Sequence, residues 1–103
     1  MKEYDEQKEI IKALKKLINK NLIGKEIEIK FINKTHKGIL INETKNTFEI
    51  IENRKIKKFI KNAIKFRIKL NEWSEWINGK YFTQTLDERL RQKVIFYDNP
   101  LLK

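Results

Sequence analysis

From residue 25 onward the apolar residues of this chain recur at every second position, and that period restricts the fold to a sheet with one buried face. Ile27, Ile29 and Phe31 alternate with Glu26, Glu28 and Lys30. Later, Ile64, Phe66, Ile68 and Leu70 alternate with Lys65, Arg67 and Lys69. Between these two runs the same signature predicts strands at 38–42, 47–52 and 55–60, and a further hairpin segment spans 73–83. A polar loop is expected at 33–37, a turn at 43–46 and a tight connection at Asn53-Arg54. Short antiparallel strands in sequence order leave exposed edges, so the expected solution is a meander of about six strands curled into a small barrel.

Both ends of the chain change to helical spacing. Over residues 5–20, Ile10, Ile11, Leu14, Leu17 and Ile18 share one arc of a helix, and Lys8, Lys12, Lys16 and Lys20 share the opposite arc. Gly24 is expected to end that segment in a left-handed conformation. Near the other end, Thr85 followed three residues later by Glu88 has the form of a capping box, and Leu86, Leu90 and Val94 then fall at helical spacing. Asn99-Pro100 stops any continuation. The 103 residues therefore divide into a helical extension (1–21), a barrel with its terminal helix (22–96) and a tail (97–103). The fold class expected is mainly β, with one amphipathic helix before the barrel and a short one after it.

Charge narrows the function. Lysine and arginine number 24 against 14 acids, a net charge of +10 and a pI near 9.8. So basic a small domain attracts polyanions, and RNA or DNA is the usual one because neutralised phosphates release counterions. With no cysteine, disulfide scaffolds and cysteine-based zinc sites are excluded. The first residues do not resemble a secretory signal, and no apolar run reaches the roughly 20 residues needed to span a bilayer. A cytoplasmic protein with no membrane partner is expected.

No catalytic constellation is evident. The three glycines are scattered, so there is no phosphate loop. His36 has no neighbour at metal-ligand spacing. Asp87 and Glu88 suit a helix start, where they complement its dipole. No catalytic residue, metal ligand or cofactor is assigned to this chain. A binding surface remains: Lys55, Lys57, Lys58 and Lys61 around the fourth strand, beside Lys65, Arg67 and Lys69 on the outward face of the fifth. Lys45 in a turn, and Arg89 and Arg91 in the terminal helix, join the set. Long basic side chains on a curved sheet follow an RNA backbone without reading its sequence. Trp73 and Trp76 are expected first to plug the barrel mouth and second to anchor a partner protein. Ile10, Leu14 and Leu17 offer a docking face for a partner.

The segment from Gly38 to Ile50, with Glu43-Thr44-Lys45-Asn46-Thr47 as its turn, resembles the signature of the ribonuclease P protein component 1 family. That family is the archaeal counterpart of a eukaryotic ribonuclease P and MRP subunit. Leu22-Ile23-Gly24, Lys61, Gly79 and Asp87-Glu88-Arg89 match it in order, over roughly residues 20–93. Thr85-Leu86 departs from the family's usual Arg-Pro, the loop at 33–37 is short, and Phe59-Ile60 replaces a common Val-Pro. The resemblance implies an Sm-like barrel and a non-catalytic protein that supports a catalytic RNA in removing the 5′ leader of precursor tRNA. It further implies a small zinc-binding partner subunit and other ribonuclease P proteins, with magnesium held by the RNA. Another small basic RNA-binding barrel, such as a ribosomal protein, is the alternative. In the signature turn, Thr44 and Asn46 are suited to bonding local backbone, Asn46 to a left-handed conformation, and Glu43 to holding a neighbouring cation.

Overall fold

The computed structural model describes residues 12, 14, 17, 20–85 and 88. Six antiparallel strands form one sheet: β1 (Glu26–Phe31), β2 (Lys34–Glu43), β3 (Thr47–Glu52), β4 (Lys55–Ile60), β5 (Ile64–Ile68) and β6 (Ile77–Asn78), in the order β4-β3-β2-β1-β5-β6. Single 3-10 turns at Lys61–Ala63 and Gly79–Phe82 follow β4 and β6.

The sheet curls hard. In a flat sheet, strands three places apart lie roughly 14 Å from each other. Yet the rings of Phe48 in β3 and Phe66 in β5 meet edge-to-face at 5.0 Å, and Phe31 in β1 meets Phe59 in β4 at 5.8 Å. Phe82 closes the aromatic cluster at 5.4 Å from Phe66. Around these rings, Leu22, Ile27, Ile29, Leu40, Ile50, Ile64, Ile68 and Ile77 are buried on the inner face, as their period-two spacing predicts. The hydrogen-bonded ladder nevertheless stays open: among the described residues β4 pairs only with β3, and β6 only with β5. The expected closed barrel is thus an open, curled sheet, whose seam is crossed by side chains and 3-10 turns instead.

Three local features depart from expectation. The loop at 33–37 is a turn of only two residues, Ile32 and Asn33, because Phe31 pairs with Lys34 and Thr35 with Lys30. Ile32 takes the left-handed φ of 55° that makes so short a turn possible, and a β-branched side chain there costs about 1–3 kcal/mol. Second, Asn46 is not left-handed. Asn53 and Arg54 are, at 52° and 66°, as the tight β3–β4 hairpin requires. Third, the 73–83 segment holds only two strand residues, with Trp73 joined to Lys69 by an isolated bridge.

Gly24 is left-handed at φ 88°, as expected. Most residues of the helices expected at 5–20 and beyond Thr85 lie outside the described residues, although the capping box forms. Thr85 Oγ1 accepts from the Glu88 N–H at 3.1 Å, and Glu88 Oε2 accepts from the Thr85 N–H at 3.4 Å. Leu14 and Leu17 are 3% and 0% exposed and belong to the core. Their face is therefore covered by this chain's own sheet, which corrects the reading of them as an open docking face; Ile10 lies outside the described residues.

Candidate nucleic-acid interface

Each cation on the predicted binding surface has its own surroundings, and these separate framework residues from residues free to meet a ligand. Lys61 is framework. Its side chain is 0% exposed, and Nζ donates to Glu43 Oε2 at 2.8 Å and to the carbonyls of Thr44, Phe82 and Gln84 at 2.7, 2.9 and 3.3 Å. The ammonium also lies 4.8 Å from the Phe48 ring centre. This corrects the expectation that Lys61 contacts RNA.

The same contacts explain the signature turn. Glu43 holds the cation, Thr44 supplies a carbonyl, and Asn46 supplies the carbonyl that accepts the Lys61 N–H at 2.8 Å. The hydroxyls of Thr44 and Thr47 meet at 2.5 Å and close the turn. Gly79 belongs to the same assembly, since a β-carbon there would run into the Lys61 carbonyl.

Arg67 is framework as well, on the outer face. It pairs across the β1–β5 ladder with Glu28, donating from Nε at 2.8 Å and Nη2 at 2.5 Å to Oε1. Trp73 and Trp76 lie against its guanidinium, each with its ring centre 5.0 Å away. The tryptophans thus cover an ion pair outside the sheet; they do not plug the barrel mouth, because Arg67 points opposite to buried Phe66 and Ile68. Glu28 is buried even though its strand position faces outward, and Lys37 approaches it at 3.8 Å.

A third cluster sits at the rim of the inner face. Glu52 Oε1 lies 2.7 Å from Lys57 Nζ and 2.8 Å from His36 Nδ1, while Oε2 accepts the Lys37 N–H at 3.0 Å. The Lys57 hydrogen bond foremost, then His36, hold the Glu52 carboxyl down at about 2. His36 packs on the Phe59 ring, 4.9 Å between centres. Lys57 is therefore half-buried and engaged. Among the described residues no three His, Asp or Glu side chains gather as a metal would need.

The remaining predicted cations are exposed: Lys45, Lys55, Lys58, Lys65 and Lys69. Lys69 keeps a loose contact with Glu26 at 3.5 Å. Arg89 and Arg91 lie outside the described residues. The fourth and fifth strands, whose lysines are expected beside one another from the sequence, are not hydrogen-bonded neighbours: β3, β2 and β1 lie between them in the ladder. Lys30 was not among the sequence-predicted contacts. It stands directly opposite Lys65 in the β1–β5 register, exposed on the outer face, with Nζ 4.0 Å from the centre of the Trp76 ring. Its outward position was legible in the alternation of β1; its partner strand was not.

On the same face Ile39, Ile51 and Ile56 follow one another across β2, β3 and β4 and remain exposed. Fold and face together define a small basic β domain with an open, curled sheet. Its outer surface carries one aliphatic ladder, one neutralised arginine and a set of unneutralised lysines. The family profile described as ribonuclease P/MRP, subunit p29, matches residues 15–92. The chain belongs to that family. No curated protein matches the chain in direct comparison.

Proposed function

We propose that this chain binds ribonuclease P RNA, in the archaeal type of the enzyme, and supports that RNA in removing the 5′ leader from precursor tRNA. The observation that carries the reading is the family match over residues 15–92. The exposed lysines Lys30, Lys45, Lys55, Lys58 and Lys65 supply the physical means, since phosphates neutralised by such side chains give affinity without sequence readout. Catalysis in this reading resides in the RNA with its magnesium. The chain acts as scaffold, and its curled sheet corresponds to the Sm-like arrangement.

The small zinc-binding subunit and the other ribonuclease P proteins are its protein partners. The exposed ladder Ile39, Ile51 and Ile56 supports placing the zinc-binding subunit there, because Leu14 and Leu17 are already covered. Among the described residues no helix is long and apolar enough to cross a membrane, and we assign the chain to the cytoplasm with its RNA.

Reconstitution tests the function. The RNA, the zinc-binding subunit and this chain are combined at low magnesium, and cleavage of precursor tRNA is followed. Cleavage that depends on adding the chain is the expected result. An unchanged rate without the chain, or cleavage by the RNA-free protein, overturns the proposal.

A further inference from the structure

We propose that the groove between β1, β5 and β6 seats one unpaired RNA nucleotide, with its phosphate held between Lys30 and Lys65. This rests on the RNA-binding reading and gives it a location. Lys30 and Lys65 are directly opposed in the ladder and both exposed, an arrangement that weakens a sheet because like charges face each other. Three other cations of this face are neutralised: Arg67 and Lys37 on Glu28, and Lys69 on Glu26. Among the described residues neither Lys30 nor Lys65 forms an ion pair. A phosphate between them turns the repulsion into two attractions. The Trp76 ring under Lys30 holds one arm of the clamp before any ligand arrives.

The groove has room for more than a phosphate. Lys30, Ile32, Asn62, Ala63, Lys65 and Asn78 line a cavity of about 390 Å³, within the range of small-ligand sites. That size suits a single nucleotide turned out of a stack, and single-stranded bulges are where RNA exposes base edges to proteins. Asn78, one of the lining residues, uses Oδ1 to accept the Lys80 N–H at 3.3 Å, a bond that leaves its amide NH₂ unused.

Ile32 gives the second, independent pointer. It is 80% exposed at the lip of this cavity, in a left-handed conformation with φ 55°. Asparagine or glycine would make the same turn without strain. An aliphatic side chain held there at a cost, and left 80% exposed in the free protein, is accounted for if it packs on the nucleoside of the bound nucleotide.

The test uses the full chain and two fluorescein-labelled hairpin RNAs, identical except that one carries a single bulged nucleotide, with affinity read by fluorescence anisotropy across a salt series. The unmodified chain is expected to prefer the bulged hairpin. Lys30→Gln with Lys65→Gln should weaken that binding by about tenfold and flatten the slope of log K against log salt by about 0.7, the value for one phosphate on a single strand. Ile32→Gly should keep the salt slope and lose the preference for the bulge. The control pair Lys55→Gln with Lys58→Gln, of equal charge change, should weaken both hairpins alike. Circular dichroism melts confirm that each variant folds. If the Lys30/Lys65 variant behaves as the control does, or Ile32→Gly keeps the preference, the nucleotide seat is overturned while RNA binding stands. If the unmodified chain binds neither hairpin, both readings fall.

Discussion

Replacing Lys61 by methionine separates a structural lysine from an RNA contact. The substitution keeps length and apolar stem but removes the ammonium, which leaves the Glu43 carboxylate, only 5% exposed, without its cation. It also removes the donor to three carbonyls, those of Thr44, Phe82 and Gln84. Stripping one partner from a buried pair costs about 3–5 kcal/mol. Set against a total stability of about 5–15 kcal/mol for a domain, that is a large part of the whole. With about 4–8 °C lost per kcal/mol in a domain of this size, the melting temperature should fall by roughly 15–30 °C. Urea denaturation of Lys61→Met, Glu43→Gln and the double variant completes a cycle. The double variant should be more stable than Lys61→Met alone, because no bare carboxylate remains, with a coupling of about 1–3 kcal/mol. If Lys61→Met unfolds within about 1 kcal/mol of the unmodified chain while its RNA affinity drops, the buried-pair reasoning is wrong.

Two further outcomes follow from the other ion clusters. Because Glu52 is held at about 2 in the folded chain, below the ordinary 4.5, its contribution to stability is present above that ordinary value and is lost as the pH falls toward 2. Glu52→Gln should therefore lower the urea midpoint at pH 7 and make the midpoint less sensitive to acid between about pH 5 and 2 than in the unmodified chain; equal acid sensitivity would count against the His36–Glu52–Lys57 cluster. Arg67→Gln should cost about 2 kcal/mol by breaking charged hydrogen bonds to Glu28, and red-shift the emission of Trp73 and Trp76, with RNA affinity changed less than about twofold. A large loss of affinity at unchanged stability would return Arg67 to the RNA interface.

Much of the framework is legible in the alternation itself, because a period of two assigns each residue to a face without knowledge of its neighbours. Ile27, Ile29, Ile64, Phe66 and Ile68 are buried where the alternation places them. Phe48, Ile50 and Phe59 follow the same rule. The two-residue turn at Ile32 is not legible, since isoleucine is among the residues least suited to a left-handed φ. Nor is the strand order: alternation says which side chains face outward but not which strand lies beside which. Alternation puts Lys58 and Lys65 on the outer face alike, but it does not say that β3, β2 and β1 lie between their strands in the ladder. Strand order also governs the Lys30–Lys65 opposition and the reach of Lys61 back to Glu43, which are contacts 35 and 18 residues apart in sequence.

Burial sorts the basic residues in a way composition cannot express. Glu28, Glu43 and Glu52 each lie low in the sheet, and each draws in a cation, Arg67, Lys61 and Lys57 respectively. These pairs fix the outer tryptophans, the signature turn and the His36 rim; they bury Lys61 entirely and leave Arg67 and Lys57 each engaged with a carboxylate. Yet every such pair takes one acid and one base together, so the excess of +10 is untouched. Pairing therefore concentrates the excess on fewer exposed lysines. The electrostatic attraction for a polyanion persists at long range, where only net charge counts. Contact is left to side chains such as Lys30 and Lys65, whose mutual repulsion in the free protein is relieved by the arrival of an anion.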